Sequence, residues 1–530
     1  MRVLFLILVG GCLLLFVAQA TSQLLLPGPQ EDESLHAAFA IDLLRPPFPY
    51  QATHTLHVGN LPLPFSINPH TGAFKSYLLW PLFALFGPSV ATERYLTIAL
   101  GFLILLFSYF FLRDAVGEWP AFWALFFLSV DSSFIFYSKL DAGPIMEELF
   151  WVILSFWGFA RWWKSKKSFT LWVGGLSVFW GVYCHVTFIW VVLAGIVSLQ
   201  GVFPKALREF FSRKNIPHVI FPILFSVIIF LYWIVGDRTL WITHYPGFQG
   251  VFIAFERLSR MGGIAPDILL GKFSKGFPEI SFHTRPITDF FVAFSILFLL
   301  FRFKNLSKPA RLLLVFTLLL FLEIAWTPQG YTIFPTHRMM IFYLFAVFLS
   351  GIAYDESFRL IKNFGRKKLL WKGLSLGILF LGLLAAGGQF VFKREVDQKI
   401  AETGGRGFWS DRISAVSDIL EKERWEKIVC LNWGYQRSLF LLTGGRMNLV
   451  GSPVKMGLSQ EERGKKLLEA VRSSSPRTLF LMHPEQKWME DVTAMELKEA
   501  AGRSGKSLIR KHFFCDREGK PLYVGYSVSP

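Results

Sequence analysis

The chain is 530 residues long, 53% of its residues are hydrophobic and only 18% are charged. Soluble domains carry roughly 25% charged residues, so this composition excludes an ordinary soluble enzyme and a disordered chain. The formal net charge of +17 does not indicate nucleic-acid binding, because the basic residues fall mainly in short segments between apolar runs. The composition predicts an integral membrane protein that contacts the lipid bilayer and has no nucleic-acid partner.

Eleven apolar runs predict membrane-spanning helices, each of which needs about 20 mostly apolar residues. The fifth and sixth runs are short and share a boundary near His185, so the count there is open. The first run ends in Ala18-Gln19-Ala20, which is also compatible with a cleaved signal peptide, although a membrane anchor is favoured. Residues 75–87 are apolar over too short a stretch and favour a helix on the membrane surface. The eleven runs are 3–20, 94–112, 119–137, 144–163, 170–185, 187–203, 219–236, 288–302, 312–327, 339–354 and 372–392.

The basic clusters predict the orientation of these spans. They fall on one side under this count, and Lys and Arg in short loops mark the cytoplasmic side. The N-terminus is then cytoplasmic, and residues 21–93, 237–287, 328–338 and 393–530 face outward. A bacterial inner membrane is the expected location, with the endoplasmic reticulum membrane as the alternative. The clusters are Arg113, residues 164–167, 208–214, 302–311 and 359–372.

The C-terminal part of the chain has a different composition. Residues 393–530 hold 24 Lys/Arg and 18 Asp/Glu, about 30% of that segment, against about 13% in residues 1–392. The sequence therefore predicts a mainly α, polytopic helix bundle of about eleven spans (residues 1–392) followed by a soluble α/β domain (393–530). In that domain, periodicity predicts helices over 410–426, 459–473 and 486–502 and strands over 427–432, 477–482, 509–515 and 521–527. Cys430 and Cys515 are expected to be thiols rather than a disulfide.

Three acidic residues follow the first apolar run. Pro27 and Gly28 end that run, and Glu31-Asp32-Glu33 stands at the start of a new helical pattern. Acids at a helix start are also explained by the helix dipole alone. Their position just outside the membrane, with Lys75 and Glu93-Arg94 nearby in the same outer loop, instead favours a reaction on a lipid-linked phosphate. A carboxylate can accept a proton from an acceptor hydroxyl, and cations can stabilise a departing phosphate.

The order of these motifs resembles a known family. Asp32-Glu33 opens a helix, residues 75–80 (KSYLLW) form a Lys-led amphipathic segment, and residues 93–96 (ERYL) lead into the second span. Residues 137–144 (YSKLDAGP) resemble a further turn of the same family, with Lys in place of its Arg. The pattern is similar to the polytopic GT-C glycosyltransferases, in particular the protein O-mannosyltransferase and aminoarabinose-transferase-like group. It covers roughly residues 1–205, and it lacks the Lys-Pro-Pro that usually stands at the Lys segment.

The resemblance implies an enzyme that moves a sugar from a polyprenyl-phosphate donor to a lipid, glycan or protein acceptor on the extracytoplasmic face, with inversion. By matching position, Asp32 would be the general base. Glu33 would orient the acceptor or help to position a cation. Lys75 and Arg94 would contact the donor phosphate.

Further residues are candidates for the same site. His337-Arg338 precedes the tenth span, where this group often has a basic residue that reaches the donor phosphate; the alternative is an interfacial Arg that extends to lipid headgroups. Asp141 and Glu148 form a candidate second acidic site, with helix capping as the alternative for Asp141. No metal site is predicted, since the spacing of the histidines at 54, 57 and 70 matches no zinc pattern. No defined cofactor follows from the sequence, and a divalent cation stays open.

Two other functions fit a membrane protein of this composition. A transporter or flippase for a lipid-linked glycan would show half-membrane repeats and charges deep in the bundle. An enzyme like an O-antigen ligase or polymerase would place its chemistry in a large late outer loop, here residues 237–287. For the tail, residues 433–435 (WGY) are a candidate sugar-stacking turn, and an ordinary turn after a strand is the simpler interpretation.

Overall fold

A computed structural model describes residues 2–44, 47–50, 54–59, 61–68, 71–141, 143–236, 287–326, 340–363, 369–454, 458–484 and 492–529. The chain divides into two compact units. The helical unit comprises Met1–Ser22, Asn68–Gly72 and Tyr95–Val396, and the mixed unit comprises Gln23–Ile67, Ala73–Arg94 and Asp397–Pro530. The last boundary lies four residues beyond the predicted end of the membrane domain at 392. Most of the first outer loop, however, groups with the C-terminal residues rather than with the helices.

Helices dominate the described part of the chain. The first half contains α1 (Arg2–Thr21), α2 (Leu35–Leu43), β1 (His54–Val58), β2 (Leu61–Asn68), β3 (Thr71–Gly72), α3 (Phe74–Phe86), α4 (Val90–Ala115), α5 (Glu118–Val130), α6 (Ser132–Leu140), α7 (Ile145–Ser165), α8 (Ser168–Cys184), α9 (Phe188–Val202), α10 (Pro204–Phe210) and α11 (Ile216–Gly236). The second half contains α12 (Thr288–Phe301), α13 (Lys308–Trp326), α14 (Met340–Asn363), α15 (Leu369–Thr403), α16 (Arg412–Glu423), β4 (Lys427–Cys430), α17 (Gln436–Leu442), β5 (Leu449–Val450), α18 (Gln460–Arg472), β6 (Thr478–Met482), α19 (Ala494–Arg503), β7 (Ser507–Cys515) and β8 (Pro521–Ser529).

Where the structure describes them, ten of the eleven predicted apolar runs fall on one helix each and the third falls on two, but the count of eleven spans is not confirmed. Within the described residues, four helices are long and apolar enough to cross a membrane: Val3–Thr21, Val90–Ala115, Met340–Lys362 and Leu370–Thr403. A fifth span results if the bent pair α5 and α6 is counted as one. Helices α8, α9 and α12 are shorter, and α7 carries charged residues at both ends. The chain is a multi-pass membrane protein, and the orientation of its termini stays a prediction.

The predicted third span, 119–137, is not one helix. Its two halves, α5 and α6, meet at an angle of 64°. The break falls at Asp131, whose extended backbone ends α5 and whose Oδ1 accepts the N–H of Phe134 at 2.8 Å as the N-cap of α6. Its Oδ2 accepts hydrogen bonds from the Tyr343 hydroxyl and, at 3.1 Å, from Gln389 Nε2. A buried carboxylate with this many donors stabilises the break within the helical unit.

The C-terminal residues form the predicted small α/β domain within the mixed unit. Its five strands are ordered β5-β4-β6-β8-β7, with β5, β4 and β6 parallel and β6, β8 and β7 antiparallel. Alternate residues of the central strand β6 enter different hydrophobic clusters: Leu479 and Leu481 pack with α16 and α17, and Phe480 and Met482 pack with α18 and α19. Helices thus cover both faces of the sheet. Among the described residues, sequence periodicity missed the short α17 and β5 and a 3-10 turn at Gly407–Trp409, and residues 486–491 of the predicted helix 486–502 lie outside the described residues. Cys430 is a buried free thiol and Cys515 a half-buried one, as expected.

The outer-loop part of the mixed unit has a small core of its own. Strands β1 and β2 pair antiparallel, and α2 packs against α3. Leu35 and Phe39 on α2 contact Ile67 and Ala73, and two tyrosines, Tyr50 and Tyr77, cover this cluster. The segment predicted as a surface helix is α3, although its relation to a membrane stays a prediction. This core fixes the start of α2, where the acidic residues stand.

Candidate active site

The acidic residues form a closed turn in the mixed unit, and we call residues 30–34 the acidic turn. The side chain of Gln30 accepts the N–H groups of Asp32 and Glu33 at 2.8 and 3.2 Å, while Glu33 Oε2 accepts the N–H of Gln30 at 3.3 Å. These reciprocal bonds satisfy backbone donors that the start of α2 would otherwise leave open. The turn therefore holds three consecutive carboxylates in three different environments.

Glu33 is buried and forms an ion pair with Arg94. Arg94 Nε lies 2.6 Å from Glu33 Oε1, and its Nη2 lies 3.0 Å from Glu33 Oε2. The same guanidinium donates to the carbonyl oxygens of Leu24 and Pro27 at 2.7 and 3.0 Å. Every nitrogen of the Arg94 guanidinium thus has a protein partner. The prediction that Arg94 contacts a donor phosphate stays untested, but this geometry favours a structural role in which Arg94 joins the acidic turn to α4.

Asp32 lies between the two buried acids and is itself only half-buried. Its backbone N–H is held by Gln30, so the residue has a fixed place in the turn. A carboxylate that reaches a solvent-accessible surface while its neighbours are buried is suited to proton transfer with an external hydroxyl. Its role as general base stays a prediction.

Glu31 faces the C-terminal α/β domain within the mixed unit. Its Oε2 accepts the backbone N–H of Arg437 at 2.8 Å, and its Oε1 lies 3.5 Å from Arg437 Nε. Burial raises the pKa of Glu31 to about 7, and the charge and backbone N–H of Arg437 oppose that rise. The sequence pattern indicates Glu31 only as an acid at a helix start, and no motif contains Arg437. The two residues are 406 positions apart, and no local pattern could connect them.

Lys75 is fully buried in the first turn of α3. Its Nζ lies 3.6 Å from Glu93 Oε1. His36, on α2, places Nδ1 3.5 Å from the Ser76 hydroxyl. Burial, followed by the charges of Lys75 and Arg437, lowers the pKa of His36 well below its ordinary value, so this imidazole is neutral. The mixed unit thus contains Asp32, Glu33, Lys75 and Arg94. It pairs Glu33 with Arg94 and Lys75 with Glu93, and Arg437 adds a cation beside Glu31.

Asp141 and Glu148 belong to the helical unit. Asp141 Oδ1 accepts the N–H of Met146 at 3.0 Å, which is the capping role considered as the alternative. Glu148 Oε1 accepts the hydroxyl of Thr187 at 2.8 Å, and that hydroxyl also contacts His185 Nδ1. Both acids are buried and bonded to the protein. Their assignment to a second acidic site stays a prediction.

Several predicted positions lie outside the described residues. These are His337 and Arg338, His70, and residues 237–286 of the late outer loop. Within the described residues, no group of three or more His, Cys, Asp or Glu side chains could hold a metal ion. In the candidate sugar-stacking turn, Tyr435 is buried and donates its hydroxyl to the Leu481 carbonyl, while Trp433 is exposed and packs on Phe408. Only Trp433 is accessible to a ligand there.

Solved membrane proteins share this fold. ArnT from Cupriavidus metallidurans in the apo state matches with a TM-score of 0.58 at 11% identity, covering 98% of this chain and 97% of that chain. The same protein bound to undecaprenyl phosphate matches with a TM-score of 0.53 at 12% identity, over 99% and 97%. The archaeal oligosaccharyltransferase AglB from Archaeoglobus fulgidus, in complex with an inhibitory peptide and a dolichol-phosphate, matches with a TM-score of 0.54 at 12% identity, over 96% and 69%.

These likenesses confirm the predicted GT-C fold over nearly the whole chain, well beyond the 205 residues that carried the sequence resemblance. No protein-family model and no curated protein matches the chain by sequence.

Proposed function

We propose that the protein is an integral membrane glycosyltransferase that transfers a sugar from a polyprenyl-phosphate donor to an acceptor on the extracytoplasmic face, with inversion. One observation carries the proposal: Asp32 is a half-buried carboxylate in a closed turn, and the same unit buries Lys75 and directs Arg437 toward the acidic turn. The solved structures of ArnT bound to undecaprenyl phosphate and of AglB in complex with a dolichol-phosphate support a lipid-phosphate carrier as the donor.

The chemistry divides between these groups. Asp32 accepts the proton of an acceptor hydroxyl, and the oxygen attacks the anomeric carbon from the side opposite the phosphate. The bond between that carbon and the phosphate oxygen breaks, and its electron pair leaves with the lipid phosphate. Cations near that oxygen stabilise the growing charge, most strongly where water is excluded.

Lys75 is the described cation that we assign to this task from the sequence motif, together with His337 and Arg338. Its ammonium is buried against Glu93 and therefore already has a fixed position and little water to displace. We assign Arg94 a structural role in holding the acidic turn, because Glu33 and two carbonyl groups accept its hydrogen bonds. Glu33 then orients the turn rather than the acceptor.

The test is mass spectrometry of surface glycoconjugates from a strain that lacks the gene and carries either the wild-type gene or the Asp32→Asn variant. Removal of a general base costs roughly 100-fold to 10,000-fold in rate, so the variant should not restore the missing sugar. Asp418→Asn, at an exposed position on α16, is the matched control and should restore it. Equal amounts of the variants in the membrane fraction show that insertion is intact. Restoration by Asp32→Asn would refute the assignment of the base.

A further inference from the structure

Arg437 differs from Arg94, the buried arginine of the same unit, in having unused donors. Its Nε lies 3.4 Å from the Tyr50 hydroxyl and 3.5 Å from Glu31 Oε1, and its backbone N–H binds Glu31 Oε2. Within the described part of the chain, its Nη1 and Nη2 make no hydrogen bond. The side chain is 16% exposed, and neither Nη atom is among the fully buried polar atoms without a partner, so this end of the guanidinium is accessible. Arg94, by contrast, has a protein partner for each of its guanidinium nitrogens.

The guanidinium of Arg437 is also fixed on its Nε side by packed neighbours. The Tyr50 ring packs edge-on against Phe39 of α2 and Phe440 of α17, with centroid distances of 5.4 and 5.5 Å. The Tyr50 hydroxyl and Glu31 then fix the Nε side of the group. A guanidinium held at Nε presents its two terminal nitrogens as a fork, which matches two oxygens of one phosphate. A fixed fork loses little side-chain entropy on binding an anion.

The carboxylates whose charges act on Arg437 are those of Glu31 and Asp32. Burial raises the pKa of Glu31 to about 7, so near neutral pH a sizeable share of the molecules carries an uncharged Glu31. An incoming phosphate would therefore meet a cation whose nearest acid is partly neutral. The same phosphate would lie within the electrostatic range of Asp32, the group assigned to proton transfer.

We propose that Arg437 is the ligand-binding residue that the C-terminal α/β domain contributes to the site, and that its Nη1 and Nη2 bind the phosphate of a lipid ligand beside Asp32. The inference rests on the proposed function and specifies a role for the tail. The phosphate belongs either to the polyprenyl donor or to a phosphorylated lipid acceptor, and both present the same pair of oxygens. Arg437 is thus a binding residue, and Glu31 and Tyr50 are positioning residues that act through it.

The experiment measures equilibrium binding of decaprenyl phosphate to the full-length protein in nanodiscs, by quenching of intrinsic tryptophan fluorescence. Arg437→Gln should raise the Kd about tenfold or more, since a charge-assisted fork is lost. Arg437→Lys should recover only part of the affinity, because it keeps the charge without the fork. Arg446→Gln is the matched control: Arg446 pairs with Glu421 on the surface of the same domain and should leave the Kd unchanged. Arg437→Lys also keeps a cation beside Glu31, so it decides the question if Arg437→Gln does not fold.

Two further arms separate the sources of the phosphate and the possible failures. Uncharged decaprenol should bind the wild type and Arg437→Gln equally, and vesicles with phosphatidic acid represent a phosphorylated lipid acceptor. A loss confined to decaprenyl phosphate assigns Arg437 to the donor, and a loss confined to phosphatidic acid assigns it to the acceptor. Unchanged affinity for both ligands in both Arg437 variants overturns the inference while the proposed function stands. Absence of binding of either ligand by the wild-type protein overturns the inference. If the wild-type gene also does not restore the glycoconjugate, the proposed function is overturned as well.

Discussion

Glu33 and Arg94 are 61 positions apart in the sequence and form a two-point ion pair with nitrogen–oxygen distances of 2.6 and 3.0 Å. Both side chains are at most 1% exposed. The pair connects the acidic turn to the start of the second turn of α4. Since Asp32 precedes Glu33 directly, the position of the proposed base depends on this pair.

Replacing Arg94 by Lys should therefore affect stability before it affects ligand binding. Lys keeps the positive charge but cannot make the two-point contact and reach the carbonyl groups of Leu24 and Pro27 at the same time, and a lost hydrogen bond to a charged group costs about 1.5–3 kcal/mol. The thermal unfolding midpoint should fall, while the folded protein should keep the wild-type Kd for decaprenyl phosphate. An unchanged midpoint with a weakened Kd would instead support the sequence-based assignment of Arg94 to the donor phosphate.

Changing Lys75 together with Glu93 should reduce sugar transfer but largely preserve stability, the reverse of the result expected for Arg94. Lys75→Met leaves the Glu93 carboxylate buried without this cation and should lower the unfolding midpoint, by about 3 kcal/mol in free energy. The double variant Lys75→Met/Glu93→Leu replaces both charges with apolar groups and should recover much of that loss. Sugar transfer should stay roughly 100-fold or more below wild type in both, because the phosphate ligand is missing. Recovery of transfer in the double variant would show that Lys75 is only structural.

The contribution of Glu31 to the stability of the protein should fall as the pH rises through neutrality, whereas the lowered pKa of His36 acts in the opposite direction below about pH 6.5. The pKa of Glu31 is about 7 in the folded protein, above its ordinary value of 4.5, because the group is buried. A raised pKa means that the folded state keeps the Glu31 proton to a higher pH than the unfolded state does. The contribution of Glu31 to the free energy of unfolding is therefore complete below about pH 4.5 and is lost as the pH rises through about 7. The full loss is on the order of 3 kcal/mol.

Unfolding midpoints measured from about pH 5 to about pH 8 check this prediction. Glu31→Gln should flatten the decline. Asp42 contributes in the same direction, since burial raises its pKa to about 7 against the hydrogen bond from the Tyr50 N–H. The single variant should therefore remove part of the slope, and Glu31→Gln/Asp42→Asn should remove more. A slope equal to that of the wild type in the double variant would contradict the assignment.

Gly28 should be intolerant of any side chain. A Cβ at this position would lie 2.3 Å from the backbone oxygen of Ser410, and the Gly28 N–H donates to the Trp409 carbonyl at 2.8 Å. Gly28→Ala must therefore separate two backbone segments, at a cost of roughly 1–3 kcal/mol. Gly464, on the exposed side of α18, has nothing within 4 Å of a built Cβ. Gly464→Ala should stabilise that helix by about 0.5–1 kcal/mol.

Unfolding midpoints and limited proteolysis near residues 404–411 distinguish the two glycine variants. Faster cleavage is expected for Gly28→Ala only. Equal protection in both variants would mean that the outer-loop segment and residues 409–411 are not held against each other in the membrane-embedded protein.

Much of the fold follows from short-range pattern. Apolar runs become helices because each must satisfy its backbone within the segment, and the tail alternates helix and strand where periodicity predicts it. The break at Asp131 was missed because an apolar run conceals a capping residue, although Asp131-Ser132-Ser133 has the residue types typical of a helix start. The count of eleven spans is not confirmed, because apolar composition alone does not separate short helices from helices long enough to cross a membrane.

The candidate site could be predicted only in part, for a different reason. Asp32 and Lys75 stand in motifs a few residues long, and a single sequence displays such motifs directly. The partners of the buried charges come from distant positions: Arg94 for Glu33, and Arg437 for Glu31. Such pairs are set by tertiary packing. No propensity or spacing rule therefore indicates that Glu33 uses the hydrogen-bond donors of Arg94, or that Arg437 pairs with Glu31.

The mixed unit is assembled from three separate stretches of chain, and this order affects how the protein is made. Its first two stretches end at Arg94 and are synthesised early. The third begins at Asp397 and is made only after residues 95–396. Until then Glu31 lacks Arg437 and Gly28 lacks Trp409. During that interval the acidic turn lacks these two contacts, so we expect it to be a target of quality-control proteases. Premature termination anywhere before the tail should accordingly yield a rapidly degraded product rather than a shorter, partly active enzyme.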